Sequence, residues 1–256
     1  MSYSLITLTK KEHIAFLTLN LPGSDNIINR QVSQELEDAC QEINQDDDVY
    51  VVVLTGAGKT FCGGSEFERW AQSGSRSEPP PETGTANTIA GIDRPVIAAI
   101  NGDALGEGLE IALSCDIRLA ADNARFGLPH VASGLIPMDG GTQRLSRLIG
   151  KGKALEMILT AETIDSTEAL KIGLISKVVP GKDLAAGAEA LAQNISTKAP
   201  ISLRYVKEAV NKGLDMTLEQ GLRLEGDLYF LLHTTTDRTE GIRAFLEKRK
   251  TQFEGK

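Results

Sequence analysis

Glycine is the residue that most constrains this chain. It supplies 25 of 256 positions, against roughly 7% in average proteins, and the excess is concentrated in residues 56–64, 102–108 and 134–141. The first two clusters follow apolar runs, Val-Val-Val-Leu at 51–54 and Val-Ile-Ala-Ala-Ile at 96–100, that read as buried strands. A strand opening into a stretch with few side chains marks a place where backbone conformation, or close approach of main-chain groups, matters more than side-chain chemistry.

The first cluster, "LTGAGKTFCGGSEF", contains Gly-Lys-Thr and so raises a phosphate-binding loop as one reading. That loop needs a first glycine five residues before Gly58, where Val53 stands, and it must run straight into a helix. Phe61-Cys62-Gly63-Gly64 keeps the chain irregular instead, so the pattern fails on both counts.

Residues 5–8 and 13–19 read as a hairpin with Lys10, Lys11 and Glu12 between its strands. Residues 29–44 carry Val32, Leu36, Ala39, Cys40 and Ile43 on one helical stripe, and 49–54 is a strand. The rhythm returns with a strand at 96–100, a helix at 109–113 and a strand at 117–120, which predicts an α/β fold with mainly parallel pairing. Residues 73–84, with three consecutive prolines, read as a flexible surface loop; Trp70 before it is either a pocket wall or a core anchor. Beyond Lys182 the pattern is helical at 184–195, 201–214, 218–232 and 239–253, and helices gathered at one end often pack on a neighbouring subunit. A boundary near Thr197 divides the chain into a core, 1–197, and a helical region, 198–256.

Net charge is −8, so the overall field repels nucleic acid. The only dense basic stretch is Lys248-Arg249-Lys250. Cys40, Cys62 and Cys115 form no C-x-x-C pair, which argues against a disulfide framework and a zinc site and favours a reducing setting, the cytoplasm or an organelle matrix. Residues 1–12 have no apolar core of signal-peptide length, and no run of about 18 apolar residues predicts a membrane span.

If the glycine turns at 61–65 and 101–110 meet, two main-chain N–H groups can point at one oxygen and hold a developing enolate. The second turn also opens a helix, whose N-terminus favours negative charge. On spacing alone, these glycines could equally serve tight turns and nothing more.

The stretches "FCGGSEF", "RPVIAAINGDALGEGLEIALSCDIRLAADNARFGLP", "GLIPMDGGTQRLSRLIG", "EALKIGLISKVV" and "FLEKRK" are together similar to the crotonase superfamily, the enoyl-CoA hydratases and isomerases, over nearly the whole chain. The resemblance implies a spiral of ββα units with a C-terminal helical region that builds homotrimers, often paired as homohexamers. It implies an acyl-CoA thioester substrate, held at an oxyanion hole by the N–H groups of Ser65 and Glu107, and no resident cofactor or metal. Gly64, Phe67, Gly106, Phe245 and Lys248 fall on substrate- or CoA-binding positions. In the hydratases of this family two glutamates flank the reacting carbons. One falls on Glu110, the other on a position where this chain has His130.

Two further departures stand out. Glu107 occupies a position usually held by a small residue, and Met138 and Asp139 follow Pro137 where hydratases usually place a glycine, making Asp139 a third candidate acid. The expectation is a lyase that hydrates a 2-enoyl-CoA with Glu110 as general base and His130, or else Asp139, as proton partner. Isomerisation, thioester hydrolysis, decarboxylation and a non-catalytic CoA-ester-binding role are the alternatives.

Overall fold

The β-branched N-terminal runs form the expected hairpin, β1 (Ile6–Lys11) and β2 (Ile14–Leu19), in antiparallel register. Its turn is tighter than the charge pattern predicts. Lys10 and Lys11 stay in the strand, and Glu12 with φ 54° and His13 make the reversal. The structure, a computed structural model, describes residues 3–66 and 84–256. Phe67, Trp70 and nearly all of the proline-rich loop lie outside the described residues.

The Asn29 side chain accepts the Val32 N–H at 2.8 Å and so caps α1 (Arg30–Gln45). The five residues of the expected stripe are the five that α1 buries. Strand β3 (Val51–Gly56) follows, then α2 (Thr85–Ala90), β4 (Val96–Ile100), the two-residue β5 (Ala104–Leu105) and α3 (Glu107–Ser114). Next come β6 (Ile117–Ala121), β7 (Arg125–Gly127), α4 (Gly141–Ile149), α5 (Lys151–Thr160), β8 (Ile164–Asp165), α6 (Ser166–Lys171) and β9 (Lys177–Val179).

Six strands form the main sheet in the order β1-β2-β3-β4-β6-β9, parallel from β2 onward. A small second sheet, β5-β7-β8, stands apart and leads from one glycine turn toward His130. Parallel strands buried on both faces read as unbroken apolar runs, as β3 and β4 do. On one face Leu17, Val52, Leu54, Ala98 and Ile100 pack with Val32, Leu36 and Ile43 of α1. On the other, Val51, Val53, Ile97 and Leu119 pack under Leu184, Ala188 and Ala192 of α7 (Leu184–Ser196).

Helices α8 (Pro200–Gly213), α9 (Leu218–Leu232) and α10 (Thr236–Glu247) complete the chain. The last one starts and stops earlier than its apolar spacing predicts. Lys248 adopts φ 54° and turns the chain back, so that Glu254 and Gly255 donate their N–H groups to the buried Asp237 carboxylate at 2.7 and 2.9 Å. Arg249 is consumed in the same turn by ion pairs with Glu240 and Glu247, which leaves less of a basic patch than the sequence suggests. Among the described residues no helix is long and apolar enough to cross a membrane.

Candidate active site

The two glycine turns leave the carboxyl ends of β3 and β4, where open α/β sheets generally place their sites. They meet. The N–H groups of Phe61 and Cys62 both donate to the Asp103 carbonyl, at 3.1 and 3.0 Å, and Leu105 N–H returns to the Cys62 carbonyl at 3.0 Å. Gly108 allows this contact, since a Cβ there would lie 2.2 Å from the Cys62 carbonyl oxygen.

The Gly-Lys-Thr segment turns its carbonyls, not its N–H groups, to its neighbours. The Asn26 amide donates to the carbonyls of Ala57 and Thr60 at 2.8 and 2.7 Å, and the Asn101 amide donates to that of Gly58 at 3.1 Å. The residues directly after it, 61–65, are not helical. The phosphate reading fails on structure as well as on sequence.

Ile28 bridges to Ser65 in parallel fashion, its N–H donating to the Gly64 carbonyl and its carbonyl accepting from Glu66 N–H, each at 2.9 Å. Strand alternation therefore directs Ser65's own N–H away from Ile28. Gly64 has φ 112° and Gly106 has φ 53°, backbone that side-chain-bearing residues avoid, and Gly106 N–H is anchored on the Gly127 carbonyl at 3.0 Å. Glu107, half-buried, is the first residue of α3; its N–H and that of Gly108 precede the first intrahelical hydrogen bonds, which run from Leu109 and Glu110 to the Gly106 carbonyl.

Helix α3 buries nearly every residue, and this sinks Glu110 to 1% exposure. Its Oε1 accepts the N–H groups of Asp139 and Gly141, both at 2.8 Å. Its Oε2 lies 3.9 Å from His130 Nε2, in the short turn after β7. Burial pushes the Glu110 carboxyl above the usual carboxylate range; the two N–H donors and the neighbouring His130 pull the other way without reversing it. Gly141 must be glycine, because a Cβ would come within 2.9 Å of Glu110 Oε1 and 2.7 Å of Pro137 Cβ.

Asp139, 3% exposed, sets its carboxylate on the N–H groups of Ala86 and Asn87 in α2. Burial raises its pKa, opposed by those donors and by Arg144. Phe245, 82% exposed, and Lys248 lie at the end of α10, and among the described residues neither side chain makes a hydrogen bond or ion pair with the Glu110 cluster. The sequence brought Glu110 and His130 to notice. It did not reveal that main-chain N–H groups of 139 and 141 clamp Glu110; the glycine pair at 140–141 was the only available signal.

A buried carboxylate held by one oxygen beside an imidazole, under the junction of two glycine turns, defines an acid/base enzyme of the crotonase superfamily. The family model described as enoyl-CoA hydratase/isomerase matches residues 9–256. A probable enoyl-CoA hydratase of Mycobacterium tuberculosis is 39% identical, with 99% of each chain covered, and a crotonyl-CoA hydratase of Syntrophomonas wolfei is also 39% identical with 99% of each covered. The crystal structure of an enoyl-CoA hydratase from Bacillus anthracis superposes with a TM-score of 0.92 at 36% identity, covering 99% of this chain and 100% of that one. The chain belongs to the enoyl-CoA hydratase/isomerase family, whose substrates are acyl-CoA thioesters.

Proposed function

We propose that this chain hydrates a short 2-enoyl-CoA, or dehydrates the corresponding 3-hydroxyacyl-CoA. The observation that carries the reading is the Glu110 carboxylate, buried, raised in pKa, fixed by two N–H groups at one oxygen and 3.9 Å from His130 at the other. A general base needs that combination of tuned basicity and fixed aim.

In the forward direction Glu110 takes a proton from water as the water oxygen bonds to Cβ. The alkene electron pair moves into the thioester, and the resulting enolate oxygen is held by the N–H groups of Ser65 and Glu107. Protonated His130 then delivers its proton to Cα. The proton gained by Glu110 returns to His130 across the short gap between them, which closes the cycle with one water added. Proton transfer and oxyanion binding suffice, so the scheme calls on no resident cofactor. In this reading Gly64 and Gly106 shape the acyl path, Phe245 lines the acyl or pantetheine path, and Lys248 meets the phosphates of CoA.

The setting is read as cytoplasmic, in keeping with three buried free thiols. Residues 198–256 are read as the oligomerisation region of a trimer or hexamer, supported by the exposure of Leu214, Leu218, Phe230, Phe245 and Leu246 on or beside the last three helices. Light scattering of the purified chain checks it; a monomer overturns it.

Replacement of the second glutamate by His130 favours isomerisation as the second reading, since one carboxylate can carry a proton between two carbons. A panel of 2-enoyl-, 3-enoyl- and saturated acyl-CoA esters separates the reactions. Loss of conjugated absorbance with water uptake is expected; its gain from a 3-enoyl ester alone, free thiol or carbon dioxide would reassign the chemistry. His130→Gln is expected to lower kcat by about 10²-fold. A wild-type rate takes His130 out of the scheme.

A further inference from the structure

Asp139 is tied to two things at once. Its Oδ2 accepts Ala86 N–H at 2.5 Å and its Oδ1 accepts Asn87 N–H at 3.2 Å, both in the first turn of α2. Its own N–H holds Glu110 Oε1 at 2.8 Å. Arg144 spans the same junction, donating to the Asp139 carbonyl at 2.8 Å and to the Asn87 side-chain oxygen at 2.7 Å.

Gly84, the residue just before α2, also packs against the Asp139 carboxylate. Its backbone, φ −73° and ψ 150°, suits any residue, so conformation does not require glycine there. Space does: an added Cβ would lie 2.1 Å from Asp139 Cγ. The carboxylate is thus packed against main chain, with both oxygens engaged as acceptors.

We propose that Asp139 is a positioning residue, whose carboxylate, seated on the first turn of α2, fixes the main-chain N–H that aims the Glu110 carboxylate. This rests on the reading of Glu110 as general base. The charged and titratable groups that bear on the pair are Arg144 beside Asp139, His130 beside the other oxygen of Glu110, and the Asp139 carboxylate itself, whose charge acts to raise the Glu110 pKa. A carboxylate engaged in this way acts as an anchor, not as a proton donor to substrate. Disturbing it loosens one of the two N–H bonds to Glu110. The carboxylate then loses stabilisation, so its pKa rises further and its aim degrades.

The test uses the full-length enzyme with a 2-enoyl-CoA and the variants Gly84→Ala, Asp139→Ala, their combination, and Asp139→Asn. Gly84→Ala touches no reacting group. It and Asp139→Ala are each expected to lower kcat by about 10- to 100-fold; Gly84→Ala, which keeps the Asp139 charge, should move the acid limb of kcat/KM up by about one pH unit, and Asp139→Ala by less, because it also removes a negative charge that raises the Glu110 pKa. The double variant should be no slower than Asp139→Ala, because the clash vanishes with the carboxylate. Asp139→Asn, which keeps one acceptor oxygen, should recover most of the rate.

An acid limb that stays in place in Gly84→Ala reduces Asp139 to a general structural role and overturns the proposal. Asp139→Asn as slow as Asp139→Ala, with one limb of the profile gone, makes it a proton donor and overturns it too. Glu110→Gln run alongside separates the two readings. If that variant hydrates at the wild-type rate, the function reading itself falls; if it is inactive while Gly84→Ala behaves as wild type, only the positioning role falls.

Discussion

Glu35 and Glu110 are both carboxylates on helices, and both are caught by main-chain N–H groups from elsewhere in the chain. Glu35 Oε2, at the half-exposed edge of α1, accepts from Ser4, Leu5 and Ile6 at 3.0, 2.8 and 3.3 Å. Glu110 accepts from two such groups at 2.8 Å in the interior. Their acidities move in opposite directions. At Glu35 burial is the largest single influence and acts to raise the pKa, but the bonds from Leu5, Gln31, Ser4 and Ile6 together outweigh it, and the net shift is downward. At Glu110 burial outweighs everything, and the shift is upward. The same donors make a structural clasp where water is near and a poised base where it is not.

The signs for stability follow. Glu35, lowered, contributes stability present above its unfolded pKa of about 4.3 and lost as pH falls through its folded value. Glu110, raised, holds its proton in the folded state over a window from about 4.3 up to its folded value, so its contribution declines as pH rises through that window.

The sharpest way to break the comparison is Glu110→Gln. Its kcat should fall by about 10²- to 10⁴-fold while its neutral-pH melting temperature stays level or rises, since a buried charge has been removed and the acceptor oxygen kept. A marked loss of thermal stability would make Glu110 a structural anchor like Glu35. Gly141→Ala should have an intermediate effect, with overlap at Glu110 Oε1 and Pro137 costing about 1–3 kcal/mol in denaturant melts and slowing turnover as the base is displaced. Smallest is Glu35→Gln. It should cost about 0.5–1 kcal/mol at pH 7, discounted for its half-exposed position, shrink as the melt is repeated at about pH 3, and leave kcat untouched.

The strand and helix pattern was largely legible because it depends on local spacing. The stripe of α1, the limits of β4 and the apolar continuity of β3 follow from which residues must leave water together. The early end of α10 was not legible. Its apolar spacing runs on past Glu247, and only the return of residues 249–255 onto Asp237 and Glu240 shows why the helix stops. The small sheet was missed for a related reason: strands of two or three residues carry too little periodicity to register.

The sequence by itself determined the longer strands and most helices, the glycine turns at two strand ends and the presence of a carboxylate and an imidazole near them in the chain order. Only the tertiary structure decided what Glu110 is. Its N–H donors lie 29 and 31 residues away, Asp139 is anchored a further 52 and 53 residues back on α2, and burial comes from a helix enclosed on all sides. Basicity depends on how much water and how many dipoles surround a group, and distant segments supply both only once the chain has closed around it.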